Sequence, residues 1–325
     1  MDRYGVFWKA ESRRGRWELK VSIIGVGTLG SCIAYELAVR GIVDELVLLD
    51  IASDVAVGHA YDILQAIAIH GKPKVRVGDY SDIAGSDVVV IAAGKPRTRD
   101  TVSRMQLAED NARILAGVAR KLLDHRVESI FITLTNPVDV MNYLIYRILG
   151  LPRGCFIGCG CQLDSARFRL ILSEELSIPL DRIEGYVIGE HGEHQVPIFS
   201  MVKVDGKPFM VSVDYRARIE SRLLNFALEV IRRKGATVYG PAYHTAELVE
   251  SILLDQKRLF CCSSIIDIDG LGEVSVGVPV IIGRCGVEYI LKWDLSYDEY
   301  TRFIDAAKTL YDYEHRIFEV IAEEY

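Results

Sequence analysis

The stretch that decides the fold, residues 20–50, reads KVSIIGVGTLGSCIAYELAVRGIVDELVLLD in a chain of 325 residues. The apolar run at residues 21–24 is too short for a helix and rich in β-branched side chains, which predicts a buried strand. A glycine-rich turn follows, and residues 31–40 then have the length and pattern of a helix. A second apolar run, Glu45–Leu49, leads directly into Asp50. Strand, turn, helix and strand in this order predict a parallel βαβ unit.

The turn GVGTLG, residues 25–30, has the Gly-x-Gly-x-x-Gly spacing of a phosphate-binding loop. Gly25 permits the tight turn, Gly27 lets the backbone approach a pyrophosphate, and Gly30 lets the helix pack on its strand. The helix N-terminus adds unpaired N–H groups and the positive end of the helix dipole. Asp50 lies 20 residues beyond Gly30, where a carboxylate accepts hydrogen bonds from an adenosine ribose. Asp50 also favours NAD over NADP, since a 2′-phosphate would meet its negative charge. The alternative is a βαβ unit that binds no ligand.

Length and composition narrow the class of protein. A chain of 325 residues suits two domains, and its formal net charge of −7 argues against a nucleic-acid binder. No apolar run approaches the roughly 20 residues that span a bilayer, so we expect a soluble protein without a membrane partner. Seven scattered cysteines without paired spacing favour a reducing, cytoplasmic setting. Residues 1–19 are predicted to be a surface extension, with a transit peptide as the alternative.

Strands and helices alternate through the first half of the chain. Further strands are predicted at residues 74–77, 87–92 and 129–134, and a long helix at residues 104–123. Short turns between alternating β and α elements predict an α/β fold with a Rossmann-type, doubly wound parallel sheet. Ligands of such sheets bind beyond the carboxyl ends of the strands, where Gly94 and Asn136 fall.

The pattern changes after residues 151–154, which read LPRG. We therefore expect a nucleotide-binding domain over residues 20–153 and a mixed α+β substrate domain over residues 154–325. The second half is predicted to contain a helix at residues 163–176, a strand at 185–188 and a hairpin of residues 197–204 and 208–213 that turns at Asp205-Gly206. A long amphipathic helix at about residues 296–323 closes the chain.

Two short segments of the second half carry candidate chemistry. Asp164 and Arg167 lie at i and i+3 and share one face of a predicted helix, which is most often a solvated ion pair. His191 lies in a glycine-flanked turn at a strand end, where its imidazole could exchange protons if a carboxylate fixed its tautomer. The simpler interpretation is a capping or core histidine. His194 is a competitor that lacks flanking glycines.

The loop after Gly94 holds three arginines within eight positions: Arg97, Arg99 and Arg104. It is either an exposed basic loop or a lid that binds anions, because guanidinium groups pair bidentately with carboxylates and closure excludes water.

Together these segments resemble the lactate/malate dehydrogenase family. The resemblance runs from Lys20 to near the C-terminus and rests on blocks that occur in the family's order. The blocks are GVGTLG with Asp50, AAGKPR with SR, LTNPVD, LDSARFR, GEHG, GPAYHTAELVESIL and VGVPVIIGRCGVE. LDSARFR followed by GEHG is the most specific combination.

The resemblance implies NAD as the cofactor and a role for each matching residue. His191 is expected to be the general acid/base, paired with Asp164, while Arg167 binds the substrate C1 carboxylate. Arg104 is expected to polarise the reacting carbonyl from the lid, and Asn136 to contact both cofactor and substrate. The implied cofactor contacts are Gly25, Gly27, Thr28, Leu29, Gly30, Asp50, Gly94, Asn111, Leu134 and Asn136.

The resemblance also implies which residue selects the substrate. In this family it is the fifth residue of AAGKPR, counted from Ala93. An uncharged residue accompanies pyruvate and lactate, whereas arginine accompanies oxaloacetate and malate, and here the residue is Arg97. Arg97 and Arg104 are seven positions apart, whereas the family pattern has six. If the extra residue lies early in the loop, Thr98 or Arg99 takes the selecting place; Arg99 would preserve the malate prediction.

The resemblance thus implies an NAD-dependent malate dehydrogenase activity on a small dicarboxylate, in a homodimer or homotetramer. A lactate or broad 2-hydroxy-acid dehydrogenase is the alternative. More remote are an NAD-dependent glycosidase and a non-catalytic NAD-binding protein. The glycosidase would need a metal bound by cysteine and histidine. Cys159 and Cys161 are candidate ligands, but the residues after His191 do not have the spacing of metal ligands, so no metal site is predicted.

Overall fold

The computed structural model describes residues 18–69, 71–96 and 104–324. Strands and helices alternate in the first half of the chain, as the sequence predicts. These elements are β1 (Lys20–Ile24), α1 (Thr28–Arg40), β2 (Glu45–Leu49), α2 (Ser53–Ile67), β3 (Lys74–Val77), α3 (Tyr80–Ile83), β4 (Val88–Ile91), α4 (Arg104–Asp124), β5 (Ile130–Thr133), α5 (Val138–Leu149) and β6 (Phe156–Gly158).

The second half begins with helix α6 and mixes short and long elements. They are α6 (Cys161–Leu176), β7 (Ile183–Glu184), β8 (Val187–Gly189), β9 (Gln195–Pro197), β10 (Lys203–Val204), β11 (Lys207–Pro208), α7 (Val213–Lys234), α8 (Tyr239–Leu253), β12 (Arg258–Ile268), β13 (Gly272–Gly283), β14 (Gly286–Ile290) and α9 (Tyr297–Glu323).

The main sheet begins with parallel strands in the order β3-β2-β1-β4-β5-β6. This order confirms the Rossmann-type α/β fold, and its direction reverses between β1 and β4, where such sheets bind ligands. The sheet then continues through β12, β13, β8 and β9 with antiparallel pairing. One sheet therefore joins the nucleotide-binding half to the mixed half, and β12 lies directly beside β6.

The central parallel strands are buried on both faces, as is usual where helices cover a sheet on either side. All four residues of β4 and of β5 are buried, which explains their continuous apolar runs. A second apolar cluster lies between α6 and α7 and includes Phe168 and Phe199, whose rings meet edge to face at 5.2 Å. Burial of these side chains supplies most of the free energy that holds each half together.

Several boundaries differ from the sequence prediction. The predicted hairpin is confirmed only as β10 and β11, which pair across Asp205-Gly206, whereas residues 199–201 form a 3₁₀ turn instead of strand. Phe199 packs into the α6–α7 cluster and Ser200 N–H donates to Glu299, and these tertiary contacts override the local alternation. The short strand β6 was not predicted, because three residues are too few to show the hydrophobic pattern of a strand.

The expected extension at residues 1–19 lies almost entirely outside the described residues. The domain boundary at residues 153/154 stays a prediction, since β6 follows it and still pairs with β5 in the parallel sheet. No helix in the described part of the chain is both long and apolar enough to cross a membrane.

All seven cysteines are free. Burial raises the pKa of Cys159 to about 11 and that of Cys261 to about 12, so these two thiols are unreactive.

Candidate active site

The glycine loop is shaped by close approaches of its own backbone. Gly25 has a φ of +90°, and a Cβ there would lie 2.4 Å from the backbone nitrogen of Ala93. A Cβ on Gly30 would lie 1.9 Å from the carbonyl oxygen of Gly25, so only glycine lets α1 pack this close to β1. Gly27 is exposed, and a Cβ there would meet none of the described residues within 4 Å. The loop is therefore tight on the sheet side and open at Gly27, where α1 begins.

Asp50 is half-buried at the end of β2 and is oriented by two backbone donors. Its Oδ2 accepts from the N–H of Val26 at 2.7 Å, and its Oδ1 accepts from the N–H of Ala52 at 2.9 Å. These bonds hold the carboxylate beside the glycine loop. An open helix N-terminus next to an oriented carboxylate fits the pyrophosphate and adenosine ribose of a dinucleotide.

The neighbouring strand ends are held together by Asn111 of α4, which is fully buried. Its Oδ1 accepts from Lys95 N–H at 2.7 Å, and its Nδ2 donates to the carbonyl of Asn136 at 2.7 Å. Gly94 fits tightly against Thr135, and Leu134 is buried just before it. The amide of Asn111 thus binds the backbone that follows β4 and the backbone that follows β5. Its direct contact with a cofactor stays a prediction.

Three residues predicted from separate motifs meet in the structure. Nδ1 of His191 lies 2.6 Å from Oδ2 of Asp164, and Nη1 of Arg167 donates to Oδ1 of the same carboxylate at 2.9 Å. Asp164 and Arg167 are 2% and 8% exposed, so the pair is not the solvated ion pair that its spacing commonly indicates. Gly160 permits this meeting, because a Cβ there would lie 2.6 Å from Cβ of His191.

The charges of this cluster support one another. Burial by itself would raise the pKa of the Asp164 carboxyl. The charge and hydrogen bond of His191 and the Arg167 guanidinium lower this pKa by a larger amount, so the net shift is downward. Burial lowers the pKa of His191, and the charge and hydrogen bond of Asp164 more than offset this, so the net shift is upward. The imidazole is therefore held in one orientation and binds a proton more readily than a free histidine.

His194, the competing histidine, lies apart from this cluster. Its side chain is 48% exposed and pairs with Glu190, whose Oε2 lies 2.6 Å from Nδ1 of His194. Nothing among the described residues joins this pair to Arg167 or to the glycine loop. His194 therefore has a carboxylate partner, as a proton-transfer residue would, but it is not enclosed by the protein.

Sequence reasoning missed Asp139, which lies in the first turn of α5 and is 2% exposed. Its Oδ2 accepts from the backbone N–H of His191 at 2.9 Å, and its Oδ1 accepts from the hydroxyl of Ser263 on β12. The available signal was a lone carboxylate in the otherwise apolar start of a buried helix.

The arginine loop is described only in part. Arg97, Thr98 and Arg99 lie outside the described residues, and of Arg104 the structure describes the backbone, at the start of α4. The selecting role of Arg97 and the carbonyl-polarising role of Arg104 stay predictions. Within residues 18–69, 71–96 and 104–324, no three histidine, cysteine, aspartate or glutamate side chains form a group able to hold a metal ion.

Comparison with known proteins gives matches over both halves of the chain. Residues 19–158 match the lactate/malate dehydrogenase NAD binding domain. Residues 161–321 match the lactate/malate dehydrogenase alpha/beta C-terminal domain.

Individual relatives carry both substrate names. A malate dehydrogenase of Haloarcula marismortui is 43% identical over 297 residues, which cover 90% of this chain and 97% of that protein. An L-lactate dehydrogenase of Thermoanaerobacterium saccharolyticum is 35% identical over 303 residues, with 90% and 97% covered. The crystal structure of a lactate dehydrogenase from Cryptosporidium parvum, in complex with lactic acid and NAD, superimposes with a TM-score of 0.85. It is 32% identical and covers 94% of this chain and 98% of its own.

Proposed function

The chain belongs to the lactate/malate dehydrogenase family and is an NAD-dependent oxidoreductase, and from this premise we propose that it interconverts malate and oxaloacetate. The observation that carries the catalytic part of the proposal is the buried arrangement of His191, Asp164 and Arg167.

NAD would be held by the glycine loop and Asp50, and when bound it supplies the nicotinamide carbon that exchanges a hydride with the substrate. In the oxidation direction, Nε2 of His191 accepts the proton of the substrate hydroxyl, because Nδ1 is bonded to Asp164. The negative charge of Asp164 stabilises the resulting imidazolium. In the reduction direction the same imidazolium returns the proton to the substrate oxygen.

Arg167 is suited to bind the carboxylate next to the reacting carbon. Its guanidinium is buried, and it uses Nη1 for Asp164, while no other hydrogen-bond partner is present among the described residues. A buried cation with free donors is costly unless an anion pairs with it, and a substrate carboxylate supplies that anion. The carbonyl is then placed between this carboxylate and His191.

The choice of a diacid rests on Arg97. A second guanidinium in the lid would pair the distal carboxylate of a four-carbon acid and would stand unpaired over a methyl group. We expect kcat/KM for oxaloacetate to exceed that for pyruvate in steady-state assays with NADH. A preference for pyruvate would contradict the malate assignment and favour the alternative, a lactate dehydrogenase, which the L-lactate dehydrogenase relatives keep open.

The residue that selects the diacid is tested by two matched variants. We expect Arg97→Gln to reduce kcat/KM for oxaloacetate by about 3 kcal/mol of activation free energy, since a charge-paired contact is lost. Arg99→Gln carries the same change two positions away and should leave this value within about threefold. The reverse pattern would transfer the selecting role to Arg99.

We further propose that the protein is a homo-oligomer, built on an apolar face of three helices. α1 packs against both α2 and α8, and each helix carries exposed apolar side chains four residues apart on one side. The side chains are Tyr35 and Val39, Val57 and Tyr61, and Tyr239 and Tyr243. A patch of this composition is typical of an interface, and a second copy of the chain is the proposed occupant.

Light scattering during size-exclusion chromatography tests this proposal. We expect the wild-type chain to elute as a dimer or tetramer and Tyr61→Asp to shift towards the monomer, because a charge would be buried in the contact. A monomeric wild-type protein would contradict it. The cytoplasmic location stays a prediction.

A further inference from the structure

Asp139 links three segments of the chain at one point beneath the catalytic cluster. It lies in the first turn of α5, accepts from the backbone N–H of His191, and accepts from the hydroxyl of Ser263 on β12. Ser263 is itself held in place, because β12 passes so close to β6 that a Cβ on Gly158 would lie 2.7 Å from Cβ of Ser263. The main chain of His191 is thus tied to the nucleotide-binding half.

The carboxylate is chemically informative because an amide could make the same two hydrogen bonds. An asparagine would accept from His191 N–H and bond Ser263 without the cost of burying a charge. Burial raises the pKa of Asp139 to about 6, although the bond from Ser263 and the charge and N–H of His191 oppose this rise. Asp139 is therefore mostly ionised at neutral pH, and its charge acts on the imidazole of His191.

We propose that Asp139 is a positioning residue for the dehydrogenase reaction, which anchors the backbone of His191 and places a second negative charge behind its imidazole. Asp164 orients the ring from α6, and Asp139 holds the main chain from α5. Both carboxylates favour the protonated imidazole, and the site keeps its proton to higher pH than Asp164 alone would allow. This inference rests on the proposed role of His191 as the general acid.

Other titratable groups also face Asp139. Glu190 precedes His191 in the same loop, Cys161 begins α6, and Glu314 approaches from α9. Burial raises the pKa of Cys161 and of Glu314 well above their ordinary values, so both favour the uncharged form more strongly than the free side chains do. His191 and Glu190 are therefore the charged neighbours to which Asp139 responds.

The test measures kcat/KM for reduction across pH in Asp139→Asn, with the 2-oxo acid that the wild-type enzyme reduces faster. Reduction needs protonated His191, so activity falls as pH rises through its pKa. We expect Asp139→Asn to move this fall to lower pH by about 0.5 to 1 unit, since one charge is lost at short range. The dissociation constant of NADH, measured by fluorescence, should change less than about twofold, which shows that the fold is intact.

Two further variants separate charge from anchoring. Asp139→Ala should show the same pH shift and a kcat about tenfold lower, because His191 then loses its main-chain anchor. Glu314→Gln removes a neighbouring buried carboxyl whose raised pKa favours its uncharged form, and it should leave the pH profile unchanged. A profile of Asp139→Asn that superimposes on the wild type would overturn the proposal.

A failure of the underlying function has a different signature. The rate of acylation of His191 by diethyl pyrocarbonate, followed across pH as the difference from His191→Asn, reports the imidazole pKa without any substrate. If Asp139→Asn shifts this rate profile, the inference holds whichever 2-oxo acid is the substrate. If His191→Asn keeps wild-type activity, the proposed mechanism falls instead, and the role of Asp139 in it falls as well.

Discussion

At the scale of single residues, the chemistry depends on the environment of two similar histidine–carboxylate pairs. His191–Asp164 and His194–Glu190 have the same 2.6 Å separation, but only the first is enclosed and adjoins a buried arginine. An exposed pair is screened by water and contributes little, whereas an enclosed pair shifts the proton affinity of its imidazole. The geometry of the hydrogen bond alone would not distinguish them.

Asp164→Asn tests the enclosed pair. The amide cannot stabilise the imidazolium, so we expect kcat to fall by about 100-fold to 10,000-fold, the usual contribution of general acid–base catalysis. Glu190→Gln makes the matched change in the exposed pair and should alter kcat by less than about threefold. Steady-state rates with saturating NADH measure both, and equal losses in the two variants would argue against the assignment of His191.

The raised pKa of His191 also predicts opposite pH profiles for the two directions. In the proposed mechanism protonated His191 is the acid in reduction, so kcat/KM for the 2-oxo acid should stay level through pH 6.5 and fall only above the raised pKa. Neutral His191 is the proposed base in oxidation, so kcat/KM for the hydroxy acid should rise over the same interval. Profiles that change in the same sense would contradict a single shared group.

At the scale of elements, the glycine loop performs two separable tasks. Gly30 lets α1 pack on β1, since any side chain would overlap the carbonyl of Gly25. Gly27 leaves open space at the start of α1, where no described residue comes within 4 Å of the position that a Cβ would take. Gly30 therefore serves the fold, and the proposed role of Gly27 is to leave room for the ligand.

Alanine at each position separates the tasks. Gly30→Ala should lower the free energy of unfolding by about 1–3 kcal/mol, as overpacking does, and weaken NADH binding as a consequence. Gly27→Ala should change the free energy of unfolding by less than about 0.5 kcal/mol but still weaken NADH binding, because the methyl group enters the ligand's space. Urea unfolding and fluorescence titration measure the two quantities. Unaltered NADH affinity in Gly27→Ala would show that the pyrophosphate does not approach there.

At the scale of the whole molecule, buried polar groups join the two halves. Asn142 of α5 donates to Ser275 of β13, and the Ser275 N–H donates to Glu314 of α9. Burial raises the pKa of Glu314 well above its ordinary value, the Ser275 N–H opposes the rise, and the charge of Asp139 adds to it. Over some range of pH, Glu314 is therefore protonated in the native state although it would be ionised in the unfolded chain.

The pH dependence of stability follows from this shift. Because the folded pKa is raised, the stability that Glu314 contributes is complete below its unfolded pKa of about 4.5 and is lost as pH rises from there towards the folded pKa. Glu314→Gln has no proton to lose, so its stability relative to the wild type should increase between pH 5 and pH 8. Urea unfolding at both pH values, at one protein concentration, measures the difference. A constant difference would indicate that Glu314 is ionised in the native protein.

The sequence by itself determined the features that depend on near neighbours in the chain. Gly30 is required by a contact with the carbonyl oxygen of Gly25, only five residues earlier. The alternation of short apolar runs with helices likewise indicated a parallel sheet. The same local logic failed at residues 199–201, where Phe199 and Glu299 impose a turn from elsewhere in the fold.

Only the tertiary structure decided which charged residues meet. Asp164 and His191 are 27 residues apart in the sequence, and Asp139 and His191 are 52 apart. The periodic pattern of a helix or a strand cannot indicate contacts between residues so far apart in the chain. They meet because the sheet continues from the parallel strands through β12 to β13 and β8, which brings the His191 loop over the start of α5 and α6. Burial then gives these carboxylates their effect, since a charge removed from water acts strongly on its neighbours.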